Sequence, residues 1–247
     1  MPDAAIVAML GVFAASVLRG FTGFGFGLAA VPLLSLALAP AKVVPFVVVL
    51  QAVVGLAGLP SAWHLTDWRA VRALSPGLVA GVPLGLLILI RVPANPVRLL
   101  IGLMIAGSVL LLWRGVRLPE SPSKWATILV GSVSGVMSGI ASVGGPPVVL
   151  YFLALALPAA VIRASCVVYF MLSAFVSLAM MVSRGLIDRE IVQWVVLSVP
   201  VLTGGTWLGS WGFKHSRPHH HRSTAIAVLS LLSAVLIGRA LFPGSPG

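Results

Sequence analysis

The sequence predicts an all-α polytopic membrane protein with eight to ten transmembrane segments, arranged as two homologous, inverted repeats with glycine-broken helices. Hydrophobic residues make up 59% of the 247 residues and charged residues only 9%, against about 45–50% and about 25% in soluble domains. Apolar runs of about 20 residues, the length that crosses a bilayer core, cover nearly the whole chain. A pattern of glycine and proline also occurs in both halves. We therefore expect one transmembrane domain over residues 1–247.

The repeat rests on glycines and prolines that keep their spacing. Alignment of Pro40 with Pro158 also aligns Gly27 with Gly145. A slightly larger offset aligns a second set, in which Pro76, Gly81, Gly85 and Arg98 match Pro200, Gly205, Gly209 and Arg222. Such duplication is typical of membrane transporters, and it predicts two halves, at about 4–115 and 125–242.

Charged residues and prolines divide most of the chain into single helices, which we expect at 43–59, 71–90, 98–113, 162–182, 191–212 and 223–242. Two other apolar runs, 4–41 and 125–160, are too long for one crossing. Each would reach about 55 Å as a single helix, nearly twice a hydrocarbon core of about 30 Å. Because each run carries glycines in its middle, we expect two helical pieces in each, with breaks at 20–27 and 139–147.

The cations between the helices bear on the number of crossings. If each long run crosses twice, ten of the 16 Lys and Arg residues lie on one side, which the positive-inside rule makes cytoplasmic. Five crossings in each half would also invert the second half relative to the first. A re-entrant piece fits about as well, so the count stays at eight to ten. The first Lys or Arg is Arg19, so we expect no cleaved signal peptide.

The two breaks are the expected binding regions. The first contains four glycines, which let the backbone unwind and a ligand come close. Unwound backbone at membrane depth is stable only inside protein or beside a water-filled cavity. A helix that restarts after a break presents free N–H groups and the positive end of its dipole, which attract anions. The second break adds the hydroxyl groups of Ser138 and Ser142.

Gln51 and Tyr169 join the candidates because the repeat alignment places them opposite each other, so they could meet across the pseudo-axis. The full set of candidate substrate-binding residues is Thr22, Gly23, Gly25, Gly27, Gln51, Ser138, Ser142, Gly144, Gly145 and Tyr169. Glycines four residues apart also allow close helix packing, which we favour for the pairs Gly81–Gly85 and Gly205–Gly209. An isolated Ser or Thr can instead bond to its own helix.

Several classes of protein are excluded. The five acidic residues lie at the N-terminus or in predicted loops, whereas cation pumps keep a carboxylate inside the membrane. Cys166 is the only cysteine, so no internal disulfide or cysteine-based metal site can form. We expect no enzyme, because Cys166, the only nominal nucleophile at depth, has no histidine partner inside a helix. We also expect no cofactor and no metal site. His215 and His219–His221, in the last long loop, are expected to change charge with pH.

The expected partners are a small anionic substrate and membrane lipid. The net charge of +11 is spread over the loops instead of one segment, which indicates contact with anionic headgroups and not with nucleic acid. A homodimer is compatible with the sequence.

Three segments resemble the sulfite exporter TauE/SafE family, also called the 4-toluene sulfonate uptake permease family: Gly20–Pro32, Ser138–Pro147 and Arg163–Ser165. The resemblance runs over essentially the whole chain. It implies a multi-pass transporter of the bacterial inner (plasma) membrane that moves small sulfur-containing anions such as sulfite and sulfonates. It also implies substrate contacts in Thr22–Gly27 and Ser138–Pro147. The two sites are not chemically symmetric, because Lys42 stands where the second half has Ala160.

We therefore expect a secondary transporter, or permease, that works by rocking of one half against the other. Two other readings stay open: a non-transporting scaffold or accessory subunit, and a carrier of a neutral small metabolite.

Overall fold

The computed structural model of the protein describes residues 2–22, 26–114, 122–215 and 219–241. In these four ranges every regular element is a helix and no strand occurs. The predicted all-α class is thereby confirmed. The ten α-helices found there are α1 Pro2–Thr22, α2 Phe26–Ser35, α3 Pro40–Ala62, α4 Trp68–Arg91, α5 Ala94–Arg114, α6 Lys124–Ala141, α7 Gly145–Ala154, α8 Ala159–Ser183, α9 Arg189–His215 and α10 His219–Leu241.

Six helical segments of the described chain are long and apolar enough to cross a membrane. They are Pro40–Leu65, Trp68–Arg91, Ala94–Leu111, Lys124–Ala141, Ala159–Ser183 and Arg189–Gly212. The first includes the short 3-10 turn Trp63–Leu65 after α3. Shorter apolar helices lie at Ala5–Gly20, Phe26–Ser35, Gly145–Ala154 and Leu229–Leu241. The range of eight to ten crossings stays a prediction.

The expected single helices are present and longer than predicted. α3, for example, begins at Pro40 instead of residue 43, because proline fits the first turn of a helix. α9 continues to His215 and α10 begins at His219. The long histidine loop of the prediction is therefore wrong: only residues 216–218 separate the two helices, and these lie outside the described residues.

The three acidic residues whose side chains are described, Asp67, Asp188 and Glu190, lie at helix starts. The Asp67 carboxylate accepts hydrogen bonds from the backbone N–H groups of Arg69 and Ala70, at 3.0 and 3.1 Å. Asp188 accepts one from Ile191 N–H at 2.8 Å. These carboxylates cap α4 and α9, where unpaired N–H groups and the helix dipole favour negative charge. Glu190, in the first turn of α9, forms an exposed ion pair with Lys42, with the atoms 2.6 Å apart.

The chain divides into two compact units. Unit 1 comprises the described residues of Met1–Val47, Val92–Val109 and Leu186–Gly247, and unit 2 those of Val48–Arg91 and Leu110–Gly185. Unit 1 therefore contains α1, α2, α9 and α10, and unit 2 contains α4, α6, α7 and α8. Each unit takes helices from both halves of the sequence.

Glycines set the main helix contact within each unit. In unit 2, a Cβ at Gly81 of α4 would lie 3.0 Å from the Cα of Gly135 on α6, and still closer to the Ser132 carbonyl oxygen. In unit 1, a Cβ at Gly209 of α9 would lie 3.0 Å from the Cα of Gly20 on α1. Backbone meets backbone at both places, which only glycine allows. The predicted packing role of these glycines is confirmed.

Candidate functional site

The candidate site surrounds the junction between α6 and α7 in unit 2. α6 ends at Ala141, and Ser142 takes a left-handed conformation, with φ 55° and ψ 28°. The Ser142 N–H donates to the carbonyl of Ser138 at 2.8 Å, which ties off the last turn of α6. α7 begins at Gly145, with Gly144 as its N-cap. Two helices thus meet end to end through residues 142–144.

A stripe of serines on α6 binds this junction. Ser134 and Ser138 are four residues apart on α6, so their side chains share one side of the helix, and Ser142 follows at its C-terminal end. The Ser134 hydroxyl donates to the carbonyl of Gly144 at 2.6 Å. The Ser138 hydroxyl accepts from the Ser173 hydroxyl of α8 at 2.9 Å. All four serines are buried. The stripe holds α7 on one side and α8 on the other.

Gln51 of α3 is paired with Ser142. Its side-chain oxygen accepts a hydrogen bond from the Ser142 hydroxyl at 2.7 Å, and its nitrogen donates to the Ser142 carbonyl at 3.3 Å. The sequence predicts that Gln51 and Tyr169 lie together, but no hydrogen bond joins them. The Tyr169 hydroxyl has no hydrogen-bond partner among the described residues. The spacing of the repeat could not show this pairing, because it carries no information on side-chain direction.

Tyr169 of α8 is the unusual member of the cluster. Its side chain is fully buried, with 0% of its surface exposed. The Ser134 hydroxyl lies close enough to influence the phenol, but the two groups lack the geometry of a hydrogen bond, and Ser134 donates to Gly144 instead. A buried hydroxyl without a partner costs about 1–3 kcal/mol. The Tyr169 hydroxyl is therefore a buried polar group without a hydrogen-bond partner among the described residues.

Gly144 has no room for a side chain. A Cβ there would overlap the Ser138 hydroxyl and the Ser134 carbonyl oxygen of α6. At Gly145 the nearest atom to a Cβ would be on the Phe170 ring, at 3.4 Å, which is an ordinary contact. The start of α7 is consequently in direct contact with α6 at Gly144.

The backbone of α7 offers fewer donors than a typical helix start. Pro146 and Pro147 follow Gly145 and have no N–H. Gly145 is therefore the only residue among the first three of α7 with a free amide hydrogen to offer. Fewer N–H groups are therefore free at the start of α7 than at a helix start without proline. The other hydrogen-bond donors at the junction are side-chain groups, namely the hydroxyls of Ser134 and Ser142 and the amide of Gln51.

The first predicted break lies mainly outside this description. Thr22 is the last residue of α1, and nothing is described of its side chain. Gly23 and Gly25 lie outside the described residues. Gly27 is buried in the first turn of α2, which retains its backbone N–H groups because no proline occurs there. Thr22 and Gly27 belong to unit 1 and the serine stripe to unit 2.

The cluster carries no ionisable side chain that is charged at neutral pH. Its polar members are Gln51, Ser134, Ser138, Ser142, Tyr169 and Ser173. Arg163, near the start of α8, is exposed, as expected for a residue at the membrane boundary. Within the described residues, no group of three or more His, Cys, Asp or Glu could hold a metal ion. The site can donate and accept hydrogen bonds but supplies no fixed charge.

Ser134 and Ser173 were not among the predicted site residues. The signal that could have found them is spacing. Ser134, Ser138 and Ser142 repeat every four residues, as do Tyr169, Ser173 and Ser177. Two polar stripes of this kind on apolar helices indicate that the helices face each other through those stripes.

Apolar helices of membrane-spanning length with a buried, uncharged polar cluster are typical of multi-pass membrane transport proteins. The profile of the family described as "Sulfite exporter TauE/SafE" matches residues 7–236, and the chain belongs to this family. The family is one of transporters, in keeping with the expectation that the chain is not an enzyme.

Two curated relatives support the same class. The chain is 29% identical, over 96% of its length and 94% of the relative's, to a "Probable sulfite/organosulfonate exporter TauE" of Cupriavidus necator. It is 26% identical, over 71% of its length and 74% of the relative's, to a "Probable inner membrane transporter protein TsaS" of Comamonas testosteroni. No solved structure matches the chain. The chain is thus a multi-pass transporter of the inner (plasma) membrane.

Proposed function

We propose that this chain is a secondary transporter of small anions, namely sulfur-containing oxyanions or organosulfonates, and that it works by alternating access. The relatives' names support the substrate class. The observation that carries the proposal is the Tyr169 hydroxyl, which is fully buried and has no hydrogen-bond partner among the described residues. Tyr169 donates to the substrate in this proposal, together with the hydroxyl of Ser138, which Ser173 orients, and the N–H of Gly145.

Neutral donors suit a transported anion. The oxygens of a sulfite or sulfonate group accept hydrogen bonds, and each bond to a charged group contributes about 1.5–3 kcal/mol. A transporter must also release its substrate, and a fixed positive charge in a buried site would hold an anion strongly. No carboxylate belongs to the described cluster, so nothing there repels an anion.

The proposed transporter consists of two inverted repeats with glycine-broken helices and eight to ten transmembrane segments. The helix contacts support it. Gly81 and Gly205 are aligned in the repeat, and each packs its own helix against the first helix of the other half. The short α7, which starts after residues 142–144, supports a broken helix in the second half.

The moving body in alternating access is then a compact unit and not a half of the sequence. α4 comes from the first half and α6 from the second, yet their backbones are in contact within unit 2. Helices whose backbones are in contact either stay packed or separate, and they do not slide past each other continuously. Rocking of one half against the other would have to break them. Unit 2 therefore moves with its cluster intact.

The test is transport by the purified protein in liposomes, with Tyr169→Phe and its matched control. Tyr169→Phe removes one hydroxyl and leaves the ring. We expect KM for a labelled anion to rise about 10- to 150-fold, which corresponds to the loss of one hydrogen bond to a charged group. The control is Tyr151→Phe, the same change at the only other tyrosine. The Tyr151 hydroxyl accepts from Thr127 at 3.3 Å, away from the junction, so KM should change less than about twofold.

Equal KM values in Tyr169→Phe and wild type would remove Tyr169 from the binding site. A carrier of a neutral metabolite is the second candidate, favoured by the absence of charge in the described cluster. It predicts that the labelled anions are not transported and do not compete with the neutral substrate. A scaffold or accessory subunit predicts no saturable flux of any solute.

A further inference from the structure

We propose that Gln51 is a positioning residue, which holds the α6–α7 junction in its left-handed turn and does not itself bind the substrate. The proposal rests on the proposed function, because the junction carries the donors of the candidate site. Nothing in the family match or the relatives' names assigns this role.

Ser142 has an unusual backbone conformation. Its φ of 55° is positive, and among the described non-glycine residues only Ala156 shares this property. In the left-handed region the Cβ of an L-residue approaches the following carbonyl oxygen, so glycine is the usual residue there. At Ser142 the chain therefore holds a conformation that its own backbone does not favour. Backbone hydrogen bonds from Ser142 and Val143 to the last turn of α6 stabilise it in part, and a side-chain contact adds to them.

Gln51 forms two hydrogen bonds with Ser142. Its side-chain oxygen accepts from the Ser142 hydroxyl at 2.7 Å, and its nitrogen donates to the Ser142 carbonyl at 3.3 Å. That carbonyl follows the last turn of α6, where backbone acceptors have no partner within the helix. One side chain thus binds the hydroxyl and the carbonyl of the strained residue, from a helix 91 residues earlier.

The turn at Ser142 positions the start of α7. Two residues after Ser142, Gly144 fits against Ser134 and Ser138 with no space for a Cβ. The Ser134 hydroxyl binds the Gly144 carbonyl at 2.6 Å, and the Ser138 hydroxyl is bound to Ser173. A different backbone conformation at Ser142 would turn α7 away from its contact with Ser134 and Ser138. The donors of the candidate site would then no longer point to one place.

A positioning role and a ligand role make different predictions. If Gln51 acts through the turn, a residue that adopts the turn unaided makes Gln51 dispensable. Glycine at position 142 is such a residue. If Gln51 binds the substrate directly, no change at position 142 replaces its amide. The combination of Gln51→Ala with Ser142→Gly therefore separates the two roles.

The experiment measures KM and maximal flux of a labelled small sulfonate in liposomes for both variants, together with the midpoint of thermal unfolding without substrate. For Gln51→Ala we expect KM to rise about five- to thirtyfold, which corresponds to the cost of a left-handed non-glycine residue acting on the competent fraction. In Gln51→Ala with Ser142→Gly, KM should return to within about threefold of wild type. The unfolding midpoint should fall and recover in parallel.

A matched control is Gln193→Ala, at the only other glutamine of the chain. Gln193 lies in α9 and is exposed, so its removal should change neither measurement. A KM that stays high in the double variant, with folded protein, would overturn the positioning role. An unchanged KM in Gln51→Ala would overturn it as well.

The two proposals can fail separately. If wild type shows no flux but the unfolding midpoint falls in Gln51→Ala and recovers with Ser142→Gly, the transport function is wrong and the role of Gln51 at the turn stands. If wild type transports but the second change rescues neither KM nor the midpoint, the transport function stands and the role of Gln51 is wrong.

Discussion

Gln51 and Tyr169 occupy aligned positions of the two halves, but their polar groups have different surroundings. Gln51 binds the hydroxyl and the carbonyl of Ser142, whereas the Tyr169 hydroxyl has no hydrogen-bond partner among the described residues. The alignment predicted both positions as polar points of one site. It could not predict the difference, because a side chain's partner depends on rotamer and on helix rotation. The same holds for the left-handed turn, which Ser142 makes without being glycine.

Ser173 offers a further prediction at the scale of single residues. It donates to the Ser138 hydroxyl at 2.9 Å and so fixes the direction of a hydroxyl at the candidate site. Ser173→Ala removes that bond, and we expect KM to rise about fivefold, which corresponds to about 1 kcal/mol. Initial rates of labelled anion uptake over a range of concentrations measure it.

The control for Ser173→Ala lies on the same helix. Ser183, at the end of α8, is exposed and donates to the Met180 carbonyl of its own turn. Ser183→Ala should leave KM within about twofold of wild type. If both serine variants change KM equally, the effect is not local to the cluster.

At the scale of elements, the over-long apolar runs were the most informative part of the sequence. The run 125–160 contains α6 and α7, which are separated by residues 142–144. Its length against the bilayer thickness predicted two pieces, and its glycines and prolines predicted where they join. The extent of each helix was less predictable. α3, α8 and α9 each run beyond the predicted ends, because proline and charged residues are tolerated in terminal turns.

Helix packing gives a second prediction at this scale. In Gly81→Ala the new Cβ would overlap the Ser132 carbonyl of α6, so α4 and α6 must separate. We expect the free energy of unfolding to fall by about 1–3 kcal/mol. Gly205→Ala, the aligned change in the other half, should have a similar effect, because its Cβ would lie 2.8 Å from the Cβ of Ser16. Thermal unfolding in detergent measures both.

Gly204 is the control for the packing prediction. It lies beside Gly205 on α9, but a Cβ there would have nothing within 4 Å. Gly204→Ala should leave stability unchanged or raise it by up to about 1 kcal/mol, since alanine favours the helix. A loss of stability in Gly204→Ala equal to that in Gly81→Ala would mean that close packing is not the reason for these glycines.

At the scale of the whole molecule, composition was sufficient to predict the class. A mean hydropathy of +1.10 and few charges indicate a membrane protein before any motif is considered. The division into compact units could not be predicted in the same way. The aligned halves run along the sequence, but α4 packs with α6 and α1 with α9. Complementary glycine surfaces decide those contacts, and a pattern in one helix does not reveal which helix matches it.

The measurement that tests the central claim most directly is uptake of a labelled small sulfonate by wild-type protein in liposomes under an imposed potential. A sulfonate stays ionised at any working pH, so it carries charge across the membrane. We expect saturable uptake that an inside-positive potential accelerates. At 100 mV, about 2.3 kcal/mol for one charge, accumulation without a coupling ion should approach about 50-fold. Uptake no greater than in protein-free liposomes, with folded protein confirmed by its unfolding transition, would contradict the claim.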